Sequence, residues 1–327
     1  MTVPTVSKVL NARSDVSAAT RQRVLEAVAA VGYAPSPRRR GPVEPAGGHA
    51  SLVDLVIGGV EGSWANSVLS GVEEAAREAD RDVVVTLAHP TDPPERSWVH
   101  RLVERQSRGA VLALVGTAEI DRVRLAAAGI PVVLLEPDVE PPAGLPSVGA
   151  TNWSGGRSAG LHLLGLGHRR VAVVAGEPAA LFSRARVDGF RSALDAEGLA
   201  LPDRAVVSGA WSRETTATAV GPLLDQPDRP TAVFACSDWM AVGVYDAAAA
   251  RGLRVPGDLS VVGFDDLPEA RWLQPALTTV RQPVGEMAAT ALRFLLRMRA
   301  GETGAEPVRM ELSTSLVVRG STAPPAG

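Results

Sequence analysis

Three observations predict an α/β architecture with parallel sheets for most of this chain. From Leu52 onward, apolar runs of four to eight residues alternate with amphipathic stretches, the pattern of strands joined by crossover helices and covered on both faces. The chain has 327 residues, 46 % of them hydrophobic, enough buried material for about two domains at roughly 150 residues each. Eight or more strand–helix units exceed one ordinary open sheet, and a polar, glycine-bearing stretch at 151–156 interrupts them. Two α/β lobes fit this better than one barrel.

The elements follow in order. Residues 1–35 read as a small helical head. A first helix over 5–10 ends at Asn11, which tolerates the left-handed exit from a helix. Ser17 caps a second over 18–31, which carries Val24, Leu25, Val28 and Val31 and closes on Gly32. Residues 36–51, rich in Pro, Gly and Arg with no period of 2 or 3.6, read as a linker. Strands are expected over 52–57, 82–87, 110–114, 131–135, 171–175, 205–208, 232–235 and 259–264. Helices are expected over 67–80, 161–166, 190–197 and 240–251. Ligands of such sheets sit beyond the carboxyl ends of strands, so the residues that follow each strand are the functional candidates.

Composition narrows the function. Residues 1–40 carry a net +5 and the remaining 287 a net −8, within an overall charge of −3. A basic head on an acidic body points to a polyanion met by the head alone, though a solvated tail has the same charge. The first helix exposes Thr5, Ser7 and Lys8, which suit phosphate oxygens and a base edge in a major groove. A helical hairpin packed on the body is the other reading. No apolar run reaches bilayer length and no signal peptide stands at the start, so a cytoplasmic protein without membrane partners is expected. The single cysteine, Cys236, excludes a disulfide framework. Dinucleotide, P-loop and nucleophile-elbow motifs are missing. His49, His89, His100, His162 and His168 show no metal spacing. No enzyme activity, cofactor or metal is expected.

TVSKVLN, followed by VSAATRQRVLEAVAAVGYAP, resembles the LacI/GalR family of transcriptional regulators. So do VGATNWSGGRSA, LGHRRVAVVAGEP with SRARVDGF, FACSDWMAVGVYDAAAARGLRVPGDLSVVGFDD, and PALTTVRQP, in family order along essentially the whole chain. The resemblance implies a helix-turn-helix head and a hinge entering the minor groove. It also implies a two-lobed effector domain like that of periplasmic sugar-binding proteins, in a homodimer on pseudopalindromic operator DNA. That effector domain would span 52–320, one lobe from about 52–150 and 281–312, the other from about 151–280 and 313–320. Residues 5–11 become the recognition helix, with Val3, Pro4 and Lys8 at base-reading positions and Thr5, Ser7 and Asn11 at backbone-contacting ones.

Two departures from the family pattern carry expectations. About a dozen residues of a first helix and turn are missing before Thr5, so the head is expected to be a partial helix-turn-helix, either incomplete or started late. The hinge has Arg38, Arg39 and Arg40 where the family has a leucine wedge; an arginine arm can enter a narrow minor groove instead.

For the effector, the resemblance assigns Asp265 and Arg186 as the principal polar contacts. Ser237 and Asp238 follow the strand ending at Ala235. Trp211 and Trp64 match aromatic positions, and Glu136 and Gln282 are further matches. Each has a plainer reading: Asp265 as a turn residue, Arg186 as a surface pair with Asp188 or Glu177, the tryptophans as packing, Asp238 as a helix cap. Six tryptophans against two tyrosines and five phenylalanines favour stacking on sugar rings, and one carboxylate facing one arginine suits a small neutral sugar. The expected function is a repressor of carbohydrate-utilisation genes controlled by that sugar. The alternatives are an effector-binding dimer that has lost DNA binding and a transporter-type sugar-binding protein.

Overall fold

The structure is a computed structural model that describes residues 52–89, 91–93, 95–116, 120–302 and 308–326, together with Thr20, Gln22 and Val24. The chain divides into two units, Met1–Gly48 and His49–Gly327, a division that falls within the linker read from composition. In the first, Thr20, Gln22 and Val24 are helical. The candidates Val3, Pro4, Thr5, Ser7, Lys8, Asn11, Arg38, Arg39 and Arg40 lie outside the described residues.

Among the described residues, the second unit holds two six-stranded sheets. In chain order, β1 (Leu52–Ile57), α1 (Gly62–Glu78), β2 (Asp82–Leu87), α2 (Trp98–Glu104), β3 (Ala110–Ala113), α3 (Arg122–Ala127), β4 (Val132–Leu135) and β5 (Ser147–Ala150) begin the first lobe. The second lobe follows with α4 (Asn152–Gly165), β6 (Val171–Ala175), α5 (Leu181–Ala196), β7 (Val206–Ser208), α6 (Arg213–Leu224) and β8 (Ala232–Ala235). It continues with α7 (Asp238–Ala249), β9 (Ser260–Asp265), α8 (Glu269–Trp272) and β10 (Thr278–Arg281). Then α9 (Val284–Ala300) and β11 (Arg309–Leu312) return to the first lobe, and β12 (Ser315–Val317) to the second. The strand orders are β11-β5-β4-β3-β1-β2 and β12-β10-β9-β8-β6-β7. Eleven strands pair in parallel fashion; β12 runs antiparallel to β10, so the second sheet is mixed rather than wholly parallel.

Local chemistry sets several helix starts. The side chains of Ser97, Asp121, Ser212 and Ser237 each accept a hydrogen bond from a first-turn backbone N–H of α2, α3, α6 and α7, which satisfies a donor that has no partner within its helix. Central strands β1, β3, β4, β6 and β8 are almost wholly apolar and buried. In the first lobe α1 and α9 cover one face of the sheet and α2 and α3 the other, with a core on each side. Among the described residues no helix is long and apolar enough to cross a membrane.

The strands β10 and β11 carry too many polar residues, and β5 and β12 too short an apolar stretch, to be recognised from apolar runs. The buried Thr278 and Thr279 of β10 satisfy their hydroxyls on Thr322 and Asp238. The stretch 151–156, read as a break, is where the chain leaves the first sheet, but from Asn152 it is already helix α4. Arg281 still belongs to β10, so the return crossing begins after it rather than at it. The third crossing lies between Leu312 and Ser315. The first and third are tied: Thr314 donates its backbone N–H to Thr151 Oγ1 at 2.9 Å, and the Thr151 N–H donates to the Leu312 carbonyl at 2.9 Å.

Candidate functional site

The carboxyl ends of both sheets carry a concentration of strained backbone. Leu114 follows β3, Glu136 follows β4, Ala210 and Trp211 follow β7, and Asp265 ends β9 with Asp266 behind it. All have positive φ, from 47° at Ala210 to 116° at Asp265. None is glycine, so the surroundings must hold each one there, and such strain gathers at binding sites.

Arg186, on the second turn of α5, is the hub. It is 3 % exposed, because α5 and α4 cross at backbone contact. A Cβ on Gly156 would lie 1.9 Å from the Arg186 carbonyl oxygen, and one on Gly189 would lie 1.9 Å from that of Trp153. The same approach brings Asn152 to the guanidinium. Arg186 Nε donates to Asn152 Oδ1 at 2.8 Å, Nη1 to the Cys236 carbonyl at 2.6 Å, and Nη2 to Gln282 Oε1 at 2.8 Å. Nη1 also faces Asp265 Oδ1 at 3.5 Å. The planar group stacks on the Phe264 ring, 3.8 Å from its centroid. The plainer reading of Arg186 as a surface pair with Asp188 or Glu177 does not match its surroundings: Asp188 pairs with Arg191, and Glu177 accepts from Trp211.

Glu136 closes the ring from the first lobe. Its two oxygens accept from Asn152 Nδ2 at 2.7 Å and from Gln282 Nε2 at 2.9 Å. Glu136, Asn152, Arg186 and Gln282 thus form a closed polar circuit between the lobes, with Asn152 and Gln282 supplied by two of the crossing segments. The Leu181 N–H reinforces it with a 2.5 Å bond to the Asp138 carbonyl across the lobes.

Asp265 is 6 % exposed, and burial pushes its carboxyl up to about 7. Arg186 opposes that shift, while Glu136 and Glu269 add to it. Burial also raises the Glu136 carboxyl, against the pull of Arg186. Ser237 and Asp238 depart from expectation. Ser237 is the residue that caps α7, its Oγ taken by the Met240 N–H at 3.1 Å. Asp238 begins that helix fully buried, with one oxygen on Thr279 Oγ1 at 2.5 Å and the other on the Leu267 N–H at 2.8 Å. Both its oxygens are engaged inside the protein, where they hold the turn behind Asp265 instead of facing a ligand.

The aromatic candidates separate. Trp211 is half-buried; its indole N–H donates to Glu177 at 3.0 Å and its ring lies 5.3 Å from that of Phe182. It fits because residue 176 is glycine: a Cβ there would sit 1.9 Å from the indole. Phe182 in turn lies 5.6 Å from the Arg186 guanidinium. Trp64, on the first turn of α1, packs against the core of the first lobe. A cavity of about 310 Å³ adjoins the circuit, sharing Glu136 and Asn152 with it and lined beyond them by Phe182, Trp153, Leu181 and Arg309. That is the lower end of the size range for small-molecule sites.

The sequence reading missed Asn152, Phe182, Phe264 and Glu269. Asn152 lies in the string VGATNWSGGRSA and Phe264 in the string ending GFDD, the signals that could have found them. Glu269 is 7 % exposed with its Oε2 unpartnered, a burial that only the fold produces. Chemically, the arrangement combines carboxylate acceptors, guanidinium and amide groups, and an aromatic wall, the kit for recognising hydroxyl groups. It is poor in nucleophiles: the Ser237 hydroxyl is spent as a cap, and burial pushes the Cys236 thiol up to about 12.

Residues 1–36 match the pattern of bacterial regulatory proteins of the lacI family, and residues 161–322 that of a periplasmic binding protein-like domain. The HTH-type transcriptional regulator DegA of Bacillus subtilis is 29 % identical over 99 % of this chain and 95 % of its own. An HTH-type transcriptional repressor PurR of Escherichia coli is 30 % identical over 98 % and 93 %. Among solved structures, a complex of the transcriptional regulator CelR with cellobiose superposes with a TM-score of 0.77. It is 31 % identical and covers 96 % of this chain and 94 % of its own. The lac repressor dimer bound to operator and the anti-inducer ONPF gives 0.75, at 27 % identity over 98 % and 95 %.

Proposed function

The chain belongs to the LacI family of DNA-binding transcriptional regulators, and from that premise we propose that it is a repressor whose operator affinity is set by a small sugar held between its two lobes. The observation that carries the effector half is the buried circuit of Glu136, Asn152, Arg186 and Gln282 beside Asp265. Buried polar groups at the carboxyl ends of two facing sheets, flanked by aromatic rings, are what a polyhydroxyl ligand requires. Asp265 and Arg186 contact its hydroxyls, Gln282 and Glu136 extend that contact, and Trp211 with Phe182 covers a ring face. Structures in which CelR holds cellobiose and a LacI family regulator from Enterococcus faecium holds ribose support the ligand class.

The head, residues 1–35, carries operator recognition in this proposal. Val3, Pro4 and Lys8 face bases; Thr5, Ser7 and Asn11 face the backbone; Arg38, Arg39 and Arg40 enter the minor groove. The protein works as a cytoplasmic homodimer, with one head on each half-site. Ligand acts only through unequal affinity for the two lobe arrangements, which changes the spacing of the heads.

The test is a tryptophan-fluorescence titration against ribose, glucose and cellobiose, with operator binding followed in parallel. A responding sugar should lose binding in Asp265→Ala, while operator affinity of the sugar-free protein stays unchanged. Equal sugar affinity in that variant and the parent refutes the site. For the head, Lys8→Ala should weaken operator binding and flatten its salt dependence by about one phosphate's worth.

A further inference from the structure

We propose that the C-terminal strap, through Arg319, positions the ligand-facing carboxylate of Asp265; the proposal rests on the reading of Asp265 as an effector contact. Asp265 and Asp266 are consecutive non-glycine residues with φ of 116° and 58°. Such a pair persists only where its surroundings over-determine it, and the restraints are visible. Asp266, 2 % exposed at its side chain, accepts from Arg281 Nε at 2.7 Å on one oxygen and from Arg319 Nη2 on the other. Arg281 is half exposed, so water weakens its hold; Arg319 is 15 % exposed, and its pair is less screened.

Arg319 belongs to the segment after β12, more than fifty residues along the chain from Asp266, and it is itself fixed. Its other terminal nitrogen donates to the Leu277 carbonyl at 2.8 Å, and its backbone N–H donates to Thr278 Oγ1 at 2.9 Å. Two residues on, Ser321 is buried with its hydroxyl on the Val261 carbonyl at 2.6 Å and under the Thr278 N–H at 2.7 Å. The Ala323 N–H donates to Ser260 Oγ at 3.0 Å. The strap is thus stitched along β9 and β10, and Arg319 is a side chain by which it reaches the turn bearing Asp265. That turn needs accuracy. Arg186 reaches Asp265 at 3.5 Å, against 2.6–2.8 Å for its other bonds, so a small rotation decides whether the pair is made.

Arg319→Met removes the fork that joins Asp266 to the Leu277 carbonyl. Arg319→Lys keeps the charge but cannot span both acceptors. The double variant Asp266→Asn, Arg319→Met also removes the stranded carboxylate, so it separates stability from positioning. Two measurements decide. Carbon-13 carboxyl NMR follows the titration of Asp265, assigned by its loss in Asp265→Asn. Fluorescence titration uses ribose and cellobiose as probes. Asp265 is surrounded by Arg186, Glu136, Glu269 and Asp238, and in the parent its midpoint lies at about 7.

In both Arg319→Met proteins that midpoint should fall by a pH unit or more, because a released turn returns the carboxyl towards water. Binding of a responding sugar should weaken at least tenfold, with Arg319→Lys intermediate and the double variant melting close to the parent. An unchanged Asp265 midpoint overturns the proposal, and so does a sugar affinity that recovers with stability in the double variant. If neither sugar binds the parent while the midpoint still falls in the variants, the positioning stands and the effector reading fails.

Discussion

At the residue scale the protein turns on how one arginine is saturated. Every nitrogen of Arg186 has a partner inside the protein, and a lysine could satisfy only part of that fork. Arg186→Lys should therefore weaken effector binding ten- to a hundredfold, the ~1.5–3 kcal/mol of a buried charge-assisted hydrogen bond, read by the same fluorescence titration. Asp265 adds a pH dependence of definite sign. Its folded-state carboxyl titrates at about 7, above its ordinary value near ~3.9 in an unfolded chain. Between those two values the folded protein binds more protons than the unfolded one, so stability falls as pH rises, by up to ~1.4 kcal/mol per unit. The raised Glu136 carboxyl acts in the same direction. Melting temperatures from pH 4.5 to 7.5 should show this decline, and Asp265→Asn should flatten it.

At the element scale the α4–α5 crossing governs the site. Gly156 has no room for a methyl group, since the carbonyl it would strike belongs to Arg186 itself. Gly156→Ala should cost about 1–3 kcal/mol by overpacking and displace the guanidinium, so that melting temperature and effector affinity fall together. Gly165, at the other end of α4, has open space around its would-be Cβ. Gly165→Ala should leave effector affinity unchanged and be neutral or slightly stabilising, since alanine loses less backbone entropy on folding. Calorimetry and titration of the pair separate the crossing from the helix as a whole.

For the whole molecule, the three passages between sheets would, in the proposed mechanism, make lobe motion and ligand contact one event. Asn152 and Gln282 lie on two of those passages and both bond Glu136 and Arg186, so any change in the angle between lobes alters the circuit a ligand meets. In the proposed dimer that angle would become a spacing between heads, and two weak half-site contacts would multiply in affinity. Sedimentation at micromolar concentration should give a homodimer, and Asp265→Ala should sediment as the parent does. A strictly monomeric species would remove this route from effector to operator.

The sequence displayed the α/β class, the central strands and the placement of Glu136, Trp211 and Asp265 at or near strand ends. Each is a local property: an apolar run, its period, the residue that follows it. It also carried the family, because motif strings such as GFDD and LTTVRQP keep their order along the chain. Tertiary structure alone decided the rest. The strands β5, β10, β11 and β12 escape an apolar-run reading because the sheet beside them, and not their own composition, supplies their partners. Asp238 looks like a ligand contact in sequence and becomes a turn holder, because Thr279 and Leu267 arrive from elsewhere to take both its oxygens. Asn152 and Arg319 gain their roles from a helix crossing and a C-terminal strap that join residues distant in sequence. Strands and caps arise from short-range periodicity and hydrogen bonding, which a sequence displays. A binding site arises from which distant groups share a desolvated space, and only the folded chain settles that.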